Sequence, residues 1–326
     1  MSKPRVGFLG TGWIGRHRME AAIATGAIEA AAVCDPSPEC ATEAMKLAPQ
    51  ARLVTSLEDL LAQDLDGIVI ATPSALHAEQ SIAALERGMA VFCQKPLGRN
   101  AAEAQAVVDA ARNANRLLSV DFSYRYTAAA RAIAEQLRSG TIGQPFAANL
   151  VFHNAYGPDK PWFYDRAQSG GGCVMDLGVH LVDLLLWLLD FPEVVDVSST
   201  LRSGGKPVAS DAVEDYAVAT LTLATGLVAR LACSWRLHAG QEAVIEASLY
   251  GTTGGASLHN VGGSFYDFEA HRFNGTGSET LVAPPDEWGG RAAAAWAEQL
   301  ARSPAFDPSA ERLVDVAKVL DRIYAG

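Results

Sequence analysis

The sequence predicts an α/β protein: an N-terminal Rossmann doubly wound parallel sheet, then a C-terminal α+β domain on a large, mostly antiparallel open sheet. Three observations carry this. Short apolar runs alternate with helical patterns through the first third of the chain. The pattern changes near residue 122, and beyond it come long runs with the two-residue period of strands.

In order, strand-like runs occupy 5–9, 30–34, 67–71, 90–93 and 117–122, with helical patterns at 14–25, 38–47, 75–87 and 101–115 between them. Ile68-Val69-Ile70 is the continuous apolar run of a strand covered on both faces. Asn100 is positioned to cap the helix that has Glu103 at its third place, and Gly88 to end the one before it. After 122 a helix spans 128–138, a strand 146–155, a helix 173–189, and strands 194–201, 215–223, 227–235, 243–250 and 264–273. Thr225-Gly226 reads as the turn of a hairpin. Helices at 291–302 and 310–324 follow. The division expected is 1–122 for a dinucleotide-binding domain and 123–326 for substrate binding and oligomerisation.

The 326 residues are 49% hydrophobic and 19% charged, ordinary for a chain that buries a sizeable core. A formal net charge of −11 repels polyanions, so nucleic acid is not an expected partner. The richest apolar run, 181–189, is interrupted by Asp183 and is short for a membrane span. Cys34, Cys40, Cys93, Cys173 and Cys233 show no CxxC pairing and fit reduced thiols, and no ligand spacing suggests a metal. The N-terminus lacks the features of a signal peptide, so the expected location is cytoplasmic.

Gly10-Thr11-Gly12-Trp13-Ile14-Gly15 follows the strand Val6-Gly7-Phe8-Leu9 and opens a helix, the context that turns a GxGxxG from a weak signal into a dinucleotide fingerprint. Its glycines allow a tight turn and close approach of a pyrophosphate to amides at the helix start. Asp35 lies 20 residues past Gly15, at the end of the second strand, where a carboxylate accepts from ribose hydroxyls. It would repel a 2′-phosphate, and Pro36-Ser37 offer no arginine to bind one, so NAD is favoured over NADP. A local Asx-turn is the plain alternative for Asp35, and the two roles are compatible.

Further segments stand in a fixed order along the chain: Ala71-Thr72-Pro73-Ser74-Ala75-Leu76-His77, Gln94-Lys95-Pro96-Leu97, Tyr124-Arg125-Tyr126, and Gly170-Gly171-Gly172-Cys173-Val174-Met175-Asp176-Leu177-Gly178-Val179-His180-Leu181-Val182-Asp183. With the glycine loop they resemble the Gfo/Idh/MocA family of glucose–fructose oxidoreductase and inositol dehydrogenase. The resemblance implies a Rossmann domain, an open-sheet substrate domain, an active site between them, and NAD(P)-dependent oxidoreduction of sugars, cyclitols and related polyols. It places the family's catalytic lysine on Lys95 and its aspartate–histidine pair on Asp176 and His180. Thr72, Pro73, Ser74 and His77 match its nicotinamide-lining loop, and Arg125 a position near cofactor or substrate. Gln94 stands where the family usually has Glu, and Trp162-Phe163 where NADP-using relatives often have Trp-Arg. Self-pairing through one face of the second sheet, as homodimer or homotetramer, is also implied.

These residue types suit hydride transfer from or to an alcohol carbon, which needs a proton moved at the oxygen. His180 is the natural proton carrier. Asp176, four residues earlier, shares its helix face and can orient the imidazole or contact substrate. Lys95 follows a strand end, on the edge where open α/β sheets place ligands, and can polarise the substrate oxygen. Asp183 reads as structural. His77 can equally be a packed histidine at a helix start. His153, Tyr156, Trp162, Tyr164, Trp235, Arg236 and His238 are candidates to shape the substrate pocket, although packing is the commoner fate of aromatics. Two other functions stay open on these residues: an NAD-dependent glycosidase using transient ring oxidation, and a non-catalytic dinucleotide-binding regulator.

Overall fold

In a computed structural model that describes residues 2–209 and 212–326, the chain forms two compact units. The first comprises Met1–Asp121 with Gly290–Val314, the second Phe122–Gly289 with Asp315–Gly326.

The first unit runs β1 (Arg5–Leu9), α1 (Trp13–Ala24), β2 (Glu29–Cys34), α2 (Pro38–Leu47), β3 (Arg52–Val54), α3 (Leu57–Leu61), β4 (Gly67–Ile70), α4 (Ser74–Glu86), β5 (Ala90–Cys93), α5 (Ala101–Ala114) and β6 (Leu118–Val120). The strands pair in parallel in the order β3-β2-β1-β4-β5-β6. Every residue of β4 and β5 is buried, as strands covered on both faces require. Asn100 caps α5, its Oδ1 accepting from the Glu103 amide at 2.9 Å, and Gly88 after α4 takes φ +79°. The order reverses at β1/β4, so the loops leaving those two strands flank the crevice where such sheets hold ligands.

Reading residues 123–326 as one second domain needs correction, because Gly290–Val314 joins the first unit. There α9 (Arg291–Arg302) buries Trp296 and Leu300 against Gly67, where a Cβ would come within 3.1 Å of the Trp296 ring and 2.9 Å of Leu300. Trp296 also meets Phe92 with ring centroids 5.8 Å apart. Local periodicity identifies such a helix but carries no information about which sheet receives it.

The second unit contains α6 (Ala128–Arg138), β7 (Pro145–Asn154), the short α7 (Arg166–Ser169), a π-helical turn at Val174–Gly178, α8 (Val179–Leu188), β8 (Val194–Ser203), β9 (Lys206–Pro207), β10 (Tyr216–Leu223), β11 (Val228–Ser234), β12 (Ala243–Gly251), β13 (Gly255–Asn260), β14 (Phe268–Asn274) and β15 (Gly277–Val282). The last helix, α10 (Arg312–Ala325), begins in the first unit and ends in the second. Nine strands form one sheet, β15-β14-β13-β12-β7-β11-β10-β8-β9, antiparallel except for the β7/β11 pair. One face carries α6 and α8 over Leu150, Phe152, Leu231 and Phe268; the other is open. The helical stretch Arg166–Leu188 is, by length and composition, apolar enough to cross a membrane, but 83% of its apolar window is buried in the protein.

Candidate functional site

The cofactor half is built by the first unit. Gly10 takes φ +79°, and a Cβ there would lie 2.5 Å from the Ala71 carbonyl, so the loops after β1 and β4 touch through a position only glycine fills. A Cβ on Gly15 would lie 2.0 Å from the Gly10 carbonyl. At Gly12, by contrast, a Cβ would meet nothing within 4 Å. That glycine opens α1 onto free space with no side-chain cap and no acid in the first turn, the cradle a pyrophosphate needs. Trp13 and Ile14 stand beside it, 61% and 36% exposed.

Asp35 directly follows β2 with both oxygens engaged: Oδ2 accepts from the Thr11 amide, and Oδ1 from the Ser37 amide at 2.8 Å. The Asx-turn reading is therefore realised, and the carboxylate also braces the glycine loop. Oδ1 keeps a lone pair for a ribose hydroxyl.

His77 is 1% exposed. Its Nδ1 lies 2.6 Å from the Pro96 carbonyl and its Nε2 2.7 Å from the Thr72 carbonyl. Burial lowers its pKa, against the opposing pull of the two carbonyls. It ties the loop after β4 to the one after β5 from inside the unit, which corrects its reading as a direct cofactor contact. Ser74 is likewise buried, and Thr72 donates to Gln80 Oε1 at 2.6 Å, which leaves the Thr72-Pro73 backbone as the lining element of that loop.

Lys95 follows the carboxyl end of β5, partly buried between Gln94 and Pro96. Gln94 Nε2 donates to Asp121 Oδ2, which also receives Arg18 Nε. Asp121 and Arg18 are 1% and 7% exposed. Burial pushes the neighbouring Cys93 thiol up to about 12, which keeps it protonated.

The second unit supplies the other candidates. Asp176 and His180 lie on consecutive turns where the π turn runs into α8. Asp176 Oδ2 accepts from Trp235 Nε1 at 3.0 Å. Trp235 meets Tyr164 and Phe163 edge-on, and Trp162 stacks on Phe163 with ring centroids 3.8 Å apart, so the predicted Trp162 and Tyr164 belong to the aromatic cluster of Trp235, the residue that contacts Asp176. His180 sits edge-on to Tyr124, 4.9 Å between centroids, and Tyr124 packs in turn on Phe152, Phe268 and Trp288.

Two residues that sequence reasoning missed hold this segment. Glu214 Oε1 accepts from the amides of Gly172 and Val174, both at 2.9 Å, and from the Tyr324 hydroxyl at 2.8 Å. A Cβ on Gly171 would lie 1.9 Å from that hydroxyl, and one on Gly172 1.9 Å from the Glu214 carbonyl. The glycine run before Asp176 is thus a backbone approach to Glu214 and Tyr324. Burial raises the Glu214 pKa against the hydrogen bonds it accepts.

Two predicted contacts are corrected here. Arg125 spends its guanidinium on a two-point pair with the buried Asp183, above the rings of Phe122 and Phe191, so both residues are structural. His153 follows Phe152 on β7 and so faces the open side of the sheet, bonded to Ser234 Oγ at 2.8 Å and stacked on Tyr216, away from His180. A cleft of about 740 Å³ beside Arg125 is lined by Arg131, Arg138 and Trp187 and contains none of the proton-handling candidates.

Residues 4–122 match the sequence profile described as an oxidoreductase family with NAD-binding Rossmann fold, and residues 130–257 that of the GFO/IDH/MocA C-terminal domain. The chain is 35% identical to the 1,5-anhydro-D-fructose reductase of Ensifer adhaerens over 182 residues, 54% of this chain and 53% of that one. It is 30% identical to an inositol 2-dehydrogenase of Agrobacterium fabrum over 259 residues, 78% and 73% of the two chains. The match thus spans about half the length of the Ensifer reductase. The solved structure of levoglucosan dehydrogenase in complex with NADH and levoglucosan shares the fold, with TM-score 0.84 and 22% identity over 99% of this chain and 97% of that one.

Proposed function

The chain belongs to the GFO/IDH/MocA family of oxidoreductases, and on that premise we propose that it transfers a hydride between NAD and a sugar, cyclitol or related polyol. The observation that carries the reading is the substrate side of the second unit, where Asp176 and His180 rise from one braced helical segment among aromatic faces. Apolar walls with a few aimed polar groups are what a polyhydroxylated ring requires.

When bound, NAD supplies the acceptor or donor of the hydride. The amides at Gly12 and the following turn hold its pyrophosphate, and Asp35 selects the unphosphorylated ribose. Lys95 polarises the substrate oxygen with its ammonium. His180 takes the hydroxyl proton during oxidation and returns it during reduction. Asp176 orients the imidazole and stabilises its charged form.

The test is a panel of sugars and polyols with NAD and NADP, followed by nicotinamide absorbance. Turnover is expected with NAD, and Lys95→Ala and His180→Ala should each lower kcat about 10²–10⁴-fold with NAD binding retained. Tight NAD binding with no turnover across the panel would defeat the reading. The open sheet face, carrying Val151, Val218, Val228, Val244 and Tyr250 among polar neighbours, is the surface proposed for self-pairing. A light-scattering mass of two or four chains is expected.

A further inference from the structure

We propose that His259, Glu269 and His271 form a binding site for a divalent transition-metal cation of the zinc class. The site lies on the sheet face opposite the Tyr124–His180 cluster. Sequence spacing gives no hint of it, because the ligands are assembled by strand pairing. His259 on β13 pairs directly with Glu269 on β14, and His271 is two residues further along β14. Glu269 and His271 therefore point to one face, opposite to Phe268 and Ala270, and His259 joins them across the ladder.

The three ligand atoms lie close enough to contract onto a small tetrahedral ion. Two ligand atoms each about 2.1 Å from zinc are about 3.4 Å apart at the tetrahedral angle. Glu269 Oε2 is 3.2 Å from His271 Nε2 and 3.9 Å from His259 Nε2, and one ligand atom from each of the three lies within 4.8 Å of the others. The two imidazoles are stacked, with centroids 5.2 Å apart and planes 8° apart, so holding one ion through both requires a ring to turn about its side-chain torsions until the in-plane lone pairs converge. His271 Nδ1 lies 3.3 Å from Thr280 Oγ1 on β15. Without an ion, Nε2 donates to Glu269 Oε2 at 3.2 Å; on binding, that proton would be displaced, with Nδ1 then donating to Thr280 and the Nε2 lone pair freed for the metal, the outer-shell arrangement ligating histidines use. Glu246 stands across the ladder from His259 on the same face and adds negative potential. Two imidazoles and one carboxylate, with a fourth position left for water, are a donor set that zinc and its neighbours prefer over magnesium or calcium.

The ion would clamp β13 to β14 close to the β15 edge of the sheet. Since none of its ligands belongs to the proton-handling set, the site is independent of the oxidoreductase reading. The experiment uses the full chain without a histidine tag, stripped with chelator and titrated with zinc chloride by calorimetry. One saturable zinc per chain and a rise in Tm of several degrees are expected. Saturable uptake should vanish in the His259→Ala/His271→Ala double variant, and Thr280→Val should weaken it about 10-fold. Cobalt in place of zinc should give the intense visible bands of a tetrahedral centre, lost in Glu269→Gln, which keeps the strand pairing. The absence of saturable zinc binding, its persistence in the double variant, or a weak six-coordinate cobalt spectrum would each overturn the assignment.

Discussion

Gln94 illustrates how a single side chain is set by what it faces. The residue shares one buried acceptor, Asp121 Oδ2, with Arg18, and it can do so because its amide donates. A glutamate in that place, as the family usually has, would set a second carboxylate against Asp121 with one guanidinium between them. Buried like charges raise the affinity of the pair for a proton. Gln94→Glu should therefore cost about 2 kcal/mol near neutral pH, because the lost amide donor leaves the buried Asp121 acceptor facing a like charge. The pair's folded pKa would lie above its unfolded value, so stability is retained below the unfolded pKa and lost as pH rises through the folded one. Urea unfolding at two pH values checks this: a penalty that does not shrink on acidification would refute it. Glu214 makes a second case. Glu214→Ala strands two buried amides and the Tyr324 hydroxyl and should cost about 3–5 kcal/mol by denaturant unfolding, whereas Tyr324→Phe removes one bond and should cost about 1 kcal/mol.

Among the elements, the loops after β4 and β5 are joined through one imidazole. Replacing His77 by Ala removes the imidazole wedged between the Thr72 and Pro96 carbonyls, which can donate to one of them at a time when neutral, and unties the loop that carries Pro73 from the one that follows Lys95. NAD affinity, read by fluorescence titration, should fall about 10-fold, which corresponds to about 1.4 kcal/mol. Unchanged affinity would show that the loops hold their places without it. This tie also marks where sequence reading stops. The glycine loop, Asp35 and the Asp176–His180 spacing were legible because each is a local pattern with a physical requirement. The direction of the His77 ring, the engagement of Arg125 by Asp183 and the outward face of His153 depend on register and burial. Elements divide in the same way. The buried strands announced themselves as apolar runs, but β3 has three residues, β13 is carried by small and polar residues, and β15 is an exposed edge whose Gly-Ser-Glu-Thr start has no apolar face. Glu214 and Tyr324 carry no local signal, since their partners lie 42 and 110 residues from Glu214 along the chain.

For the molecule as a whole, the titration of its buried groups predicts how stability depends on pH. Burial lowers the pKa of His17, His77 and His153 below the ordinary histidine value of 6.5. The unfolded chain then binds more protons than the folded one between the folded pKa values and 6.5, so stability falls as pH drops through that window and is full above it. Burial raises Asp183 and Glu214 instead, the former against its Arg125 partner. Their contribution has the opposite slope: it is largest below the unfolded carboxylate values of 3.8 and 4.5 and declines as pH rises through the folded ones. The two sets therefore oppose each other across mildly acidic pH. Single variants separate them. His153→Gln removes a group that favours higher pH and should flatten the rise of Tm between pH 5 and 7. Glu214→Gln keeps an acceptor for the Gly172 and Val174 amides but removes a group that favours lower pH, and should steepen that rise. Melting curves for both variants beside the unmodified chain decide the matter, because opposite signs are required; two slopes that change in the same direction would show that these buried groups do not set the pH response.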